Sequence, residues 1–197
     1  MLTPTTVTDF DRSDDDLELF LLFCILVAGK NSDWAMGKVY ELLDDREMGS
    51  PFDYLHWGGL EALRNKLVAH RVGQYDRIVR AIDECKNLRL REVTVETLEG
   101  IHGIGPKTAR FFVLHSQKDA RCAVLDVHQL KWLSQFCDNV PQQTPQRRTK
   151  YRYYEVLWLT MTDVYFPDVP KAVVDLMIWA QMSGRDLDSA IPQEWRE

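Results

Sequence analysis

From Leu17 onward, the apolar positions Phe20, Leu21, Cys24, Ile25 and Ala28 recur at three- and four-residue spacing, the period of a helix. Ser13 or Asp14 can cap this helix, which is apolar nearly all round and so belongs in a core. Gly29-Lys30-Asn31-Ser32-Asp33 breaks the pattern, and Ser32 or Asp33 caps a helix from about Trp34 to Leu43. Gly49-Ser50-Pro51 marks a loop, followed by two short helical pieces, Phe52 to Trp57 and Leu60 to Val68, split by Gly58-Gly59. A turn at residues 70–75 leads to a helix from Asp76 to Lys86 with Ile78, Val79, Ile82 and Cys85 on one face. Thr94 caps a short helix over 95–100, and Pro106 opens another that runs to about His115.

Cys122-Ala123-Val124-Leu125 is too short to define a strand, and Asp126 caps a helix carrying Leu130, Trp132, Leu133 and Phe136. Residues 138–150 are the most loop-like stretch. Two further helices are predicted, Tyr151 to about Tyr165 and Pro170 to Ser183, the latter capped by Asp168 and ended by Gly184. Ile191 to Trp195 reads as an extended tail. With no internal repeat and no alternating apolar pattern, the fold class is all-α.

Composition narrows the setting. The 197 residues are 45% hydrophobic, enough for one large unit or two helical lobes. The longest apolar run, Phe20 to Ala28, has nine residues, less than half of a membrane span. Met1-Leu2-Thr3-Pro4 starts no secretory signal, so the expected location is the cytoplasm, a host cytoplasm for a viral protein, or the nucleus. Cys24, Cys85, Cys122 and Cys137 are separated by 61, 37 and 15 residues, with no C-x-x-C pair, and read as reduced thiols. No metal and no cofactor is expected, and the chain is expected to act as a monomer. A net charge of −6 argues against a protein that coats nucleic acid, yet Arg147, Arg148, Lys150 and Arg152 form a local basic cluster.

The stretch with the most chemistry is Gly100-Ile101-His102-Gly103-Ile104-Gly105-Pro106-Lys107-Thr108, a Gly-rich turn between two helices. Gly103 and Gly105 allow φ > 0 and a close approach to a ligand, while the new helix offers unpaired N–H groups and a positive dipole end that fit a phosphate. Lys107 lies in the first turn, where the dipole favours a neutral, nucleophilic amine. Asp126, nineteen residues on, leaves room for one helix and a return loop, so both residues fall at helix N-termini facing one cleft.

Gly103-Ile104-Gly105-Pro106-Lys107-Thr108-Ala109 together with Val124-Leu125-Asp126-Val127-His128 resembles the helix-hairpin-helix DNA glycosylases related to endonuclease III. Residues 27–33 and Gly73-Gln74-Tyr75 fall in the family's order, and the likeness covers about residues 15–183. The cysteines that hold an iron–sulfur cluster in endonuclease III are absent after residue 137. Phe111 follows Lys107 by four residues and Trp179 follows Asp175 by four, each pair sharing a helix face, as in the archaeal 8-oxoguanine glycosylases.

The resemblance implies a two-lobed fold in which the N-terminal segment and the C-terminal helices share one lobe. It implies Lys107 and Asp126 as catalytic residues and Phe111, Asp175 and Trp179 as a pocket for a flipped purine, with Lys30 and Asn31 near the base. Gly103, Gly105, Thr108, Arg147, Arg148 and Lys150 would contact the DNA backbone. The implied partner is double-stranded DNA with one flipped nucleotide, and the implied reaction is excision of an oxidised purine with strand nicking. Two rivals use the same parts. One is a viral enzyme that attaches an amino acid or amine to a modified thymine and leaves the glycosidic bond intact. The other is a non-catalytic DNA-binding module.

Overall fold

The computed structural model describes residues 6–186 and Ile191, and among these every regular element is a helix. They fall into two compact units. The first spans Arg12–Ile104 and holds α1 (Asp14–Leu26), α2 (Ser32–Leu43), α3 (Pro51–His56), α4 (Gly59–Ala69), α5 (Tyr75–Cys85) and α6 (Val95–Gly100). The second joins the residues up to Asp11 to those from Gly105 onward, with α7 (Pro106–Ser116), α8 (Val127–Leu133), α9 (Arg148–Tyr165) and α10 (Lys171–Ser183). The predicted tail, apart from Ile191, lies outside the described residues.

In the first unit, α1 is the core helix that its all-round apolarity predicts. Leu17 and Phe20 to Leu26 are buried, and α2, α3 and α5 pack around them. Ser13 accepts from Asp16 N–H, and Asp14, Asp15 and Asp16 place negative charge at the positive helix end. Asn31, rather than Ser32 or Asp33, caps α2: its Oδ1 accepts from Asp33 N (2.7 Å) and Trp34 N (3.3 Å). The helix therefore starts two residues earlier than expected, and a cap must directly precede the first helical residue. Glu18 reaches from α1 to accept Phe52 N at 2.7 Å, tying α3 to the core.

In the second unit, α8 and α10 pack face to face, with α7 against α10 and α9 against α8. Leu125, Leu130, Trp132, Leu133, Tyr154, Trp158, Val174 and Ile178 form the apolar centre. Three expected boundaries shift. The helix after Asp126 stops at Leu133, with Phe136 beyond its end. The residue before α10 is Pro170 and not Asp168, which lies too far upstream to reach the free N–H groups of the first turn. The helix expected from Tyr151 begins at Arg148, so Arg148 and Lys150 lie in a first helical turn rather than a loop.

Candidate active site

The Gly-rich turn ends where the chain passes from the first unit to the second, between Ile104 and Gly105. Of its two expected φ > 0 positions, Gly103 alone has one, at +85°. Gly105 is instead the extended N-cap of α7, at φ −87° and ψ 172°. Arg77 fixes the turn from beneath. Its Nη1 donates to Gly103 O and its Nη2 to Ile25 O, both at 2.8 Å, and a Cβ on Gly103 would stand 2.4 Å from Arg77 Cγ. Pro106 occupies the first position of α7, and Lys107 follows, half-buried. No hydrogen bond or ion pair occupies Lys107 Nζ among the described residues. Thr108 is buried, so its side chain is not a surface contact.

Asp126 caps α8, with Oδ1 accepting from His128 N (2.8 Å) and Gln129 N (2.9 Å). A buried clamp holds the strand-like segment that delivers it. Glu155 Oε1 accepts Ala123 N at 3.0 Å, while Tyr151 OH donates to Ala123 O (2.9 Å) and accepts Leu125 N (2.8 Å). Glu155 in turn receives Arg110 Nε at 2.6 Å and Nη2 at 2.8 Å, and Arg110 Nη1 donates to Pro106 O at 3.1 Å. One guanidinium therefore links the first turn of the Lys107 helix to the segment that ends in Asp126. Burial drives the Tyr151 phenol well above its ordinary value, so this hydroxyl stays protonated and able to donate.

Asp175, on α10, is buried beside both. Its Oδ2 meets His115 Nε2 at 3.3 Å, and Oδ1 is buried with no hydrogen-bond partner. Burial pushes its carboxyl above the ordinary range, against the lowering effect of His115. Asp126 adds to the rise, and the Lys107 charge opposes it, so all three groups lie within electrostatic reach. Phe111 packs edge-on to His115 with ring centroids 5.1 Å apart. Trp179 is half-buried, with His128 at 6.4 Å and the Arg185 guanidinium over its ring at 4.9 Å.

The remaining candidates lie on other elements. Lys30 and Asn31 are exposed in the first unit; Lys30 Nζ lies 5.2 Å from the Trp34 ring centroid, and Asn31 Oδ1 is used by its cap. Arg147, Arg148 and Lys150 are exposed at the start of α9. Gln129, His115 and Glu155 were not singled out from the sequence as partners of the site. For two of them the signal is present: His115 lies four residues beyond Phe111 and Gln129 three beyond Asp126, the spacings that share a helix face.

No family model matches the chain, and no curated protein matches it in sequence. Solved structures match its fold. The crystal structure of Methanocaldococcus jannaschii 8-oxoguanine DNA glycosylase superposes with a TM-score of 0.66 at 22% identity, covering 91% of this chain and 84% of that one. The chain has an 8-oxoguanine DNA glycosylase fold. A second structure, the M. jannaschii 8-oxoguanine glycosylase/lyase in complex with a 15mer DNA containing 8-oxoguanine, gives a TM-score of 0.62 at 24% identity, covering 89% and 84%. The glycosylase fold agrees with the resemblance carried by residues 103–109 and 124–128.

Proposed function

We propose that the protein is a DNA glycosylase with an associated lyase activity, acting on an oxidised purine such as 8-oxoguanine. The observation that carries this reading is the grouping of Lys107, Asp126 and Asp175 in one unit of a glycosylase fold, with a buried Asp175 oxygen left unpaired. A purine edge with N–H groups suits that oxygen, because a buried acceptor without a donor costs about 1–3 kcal/mol. Extrusion of the nucleotide from duplex DNA brings the base to it. Phe111 offers a ring for stacking, and Trp179 an indole N–H.

In the reaction, the Lys107 amine, once its ammonium has lost a proton to solvent, attacks the sugar C1′ as the glycosidic C1′–N bond breaks, and the base leaves with that electron pair and takes up a proton. Asp126, ionised, stabilises positive charge on the sugar and accepts the proton lost by the attacking amine. The sugar ring then opens: the C1′–O4′ bond breaks, O4′ takes up a proton and the C1′–N bond becomes the Schiff base. The Schiff base acidifies C2′–H, so that loss of that proton expels the 3′ phosphate and nicks the strand. Gly103, Gly105 and the main-chain N–H of Thr108 would hold the neighbouring phosphate. Arg147, Arg148 and Lys150 would contact the backbone, while Lys30 and Asn31 would lie near the base, Asn31 with the amide nitrogen its capping role leaves unused.

Borohydride trapping on a duplex containing 8-oxoguanine tests this reading. Wild-type protein should give a covalent adduct that Lys107→Ala abolishes. Absence of any adduct, with Lys107→Ala as active as wild type, would exclude the lysine mechanism. An intact glycosidic bond with a gain in base mass would instead favour base modification.

A further inference from the structure

His115 stands at the centre of a buried hydrogen-bonded chain that the reaction above does not use. Its side chain is fully buried, with Nδ1 at 2.7 Å from Thr8 Oγ1 and Nε2 at 3.3 Å from Asp175 Oδ2. The segment that supplies Thr8 is tethered by a second bond, Asp9 N to His115 O at 3.2 Å. Phe111 packs against the imidazole from one turn away on the same helix. The ring is thus held by the N-terminal segment, by α7 and by α10.

The pairing has a chemical direction. When the Thr8 hydroxyl donates to Nδ1, a neutral ring carries its proton on Nε2 and donates it to Asp175. Asp175 Oδ2 is then occupied as an acceptor, and Oδ1 is the oxygen left for a ligand. If Asp175 were protonated, it would turn from acceptor to donor and lose its preference for a base edge bearing N–H groups.

We propose that His115, held by Thr8, is a positioning residue for base recognition: it keeps the Asp175 carboxylate an ionised acceptor with Oδ1 available to a ring or exocyclic N–H of the flipped base. The proposal rests on reading this site as a base pocket. The other ionisable groups facing Asp175 are Lys107 on α7 and Asp126 at the start of α8, of opposite sign. Lys171, on α10 itself, is engaged with Asp163 at 2.9 Å, and His128 of α8 packs on Trp179. Burial is the largest influence on Asp175 and favours the neutral acid; the His115 donor is the strongest influence against it, ahead of the Lys107 charge.

The experiment compares two substrates across pH: release of base from a duplex containing 8-oxoguanine, and borohydride trapping on a duplex with an abasic site, which has no base to recognise. His115→Leu should move the acid limb of base release up by about one pH unit, the tenfold change expected from one hydrogen bond to a charged group. Trapping at the abasic site should be unchanged. His115→Gln, which restores an N–H donor, should return the limb toward wild type. Thr8→Val, at a half-buried position, should shift it in the same direction as His115→Leu and serves if that variant does not fold. An acid limb unmoved in these variants, or loss of both activities in equal proportion, would overturn the proposal. Wild-type protein inert toward both duplexes would overturn the glycosylase reading itself.

Discussion

Gln129 donates its side-chain amide to the main-chain carbonyl of Asp175 at 2.8 Å, while its own N–H closes on Asp126 Oδ1 at 2.9 Å. A single buried residue on α8 thereby fixes the spacing between the helix cap and the pocket acid. Its Oε1 also receives the Trp158 indole N–H at 2.8 Å. Gln129→Leu strands that indole donor in an apolar centre and should cost about 2 kcal/mol of stability, read as a lower urea midpoint. Unchanged stability would mean that the indole finds another acceptor.

The clamp on the Asp126 segment depends on a nearly fully buried ion pair. Arg110→Met leaves Glu155 buried without its partner and should destabilise by about 3–5 kcal/mol. Removing both charges, in Arg110→Met with Glu155→Leu, should recover part of that loss, although Ala123 N then lacks its acceptor. A double-mutant cycle on thermal unfolding measures the coupling; additive losses would show that the two residues act independently.

The two glycines of the turn should respond differently. Gly103→Ala meets both a left-handed backbone and the Arg77 side chain, which three hydrogen bonds hold in place, and should cost about 2 kcal/mol or more. Gly105→Ala has a negative φ and open space around the new methyl, so its melting temperature should stay near wild type. Equal melting temperatures for the two variants would count against the Arg77 contact as the constraint.

Asp175 carries a stability cost of its own. Its folded carboxyl titrates above the ordinary value because burial disfavours the charge, so the folded protein binds that proton more tightly than the unfolded chain does. The corresponding stability is fully present below the ordinary carboxylate range and is lost as pH rises through the raised value. Asp175→Asn should therefore melt higher than wild type near neutral pH, with the difference shrinking in acid, and should fail to release base. A variant less stable than wild type at every pH would contradict this balance.

Much of this arrangement is legible in the sequence because it is local. Thr94, Asp126 and Gly184 begin or end helices through bonds to their own neighbours, Pro106 begins one through its fixed φ, and the apolar period of α1 sets its burial without reference to anything distant. The starts of α2 and α10, at Asn31 rather than Ser32 or Asp33 and at Pro170 rather than Asp168, fall where several polar or turn-forming residues adjoin and local chemistry permits more than one start. The partners that complete the candidate site could not be read this way. Thr8 lies 107 residues from His115, Glu155 lies 45 from Arg110, and Gln129 lies 46 from Asp175. Such pairings depend on packing among α7, α8, α9 and α10 rather than on residue type, and nothing in the spacing of one helix announces them.

The first turn of α9 has a thermodynamic consequence. It carries Arg148 and Lys150 directly after Arg147, no acidic residue, and no side-chain cap, so like charge meets the positive end of an 18-residue helix. A polyanion bound at that turn would meet basic side chains and the positive helix end together. Binding a nucleic acid should tighten the helix start as well as hold the ligand, and the reward should fade as salt screens it. Amide exchange at the start of α9 should slow when duplex DNA is added at low ionic strength, and slow less at high; exchange indifferent to DNA would place the duplex elsewhere.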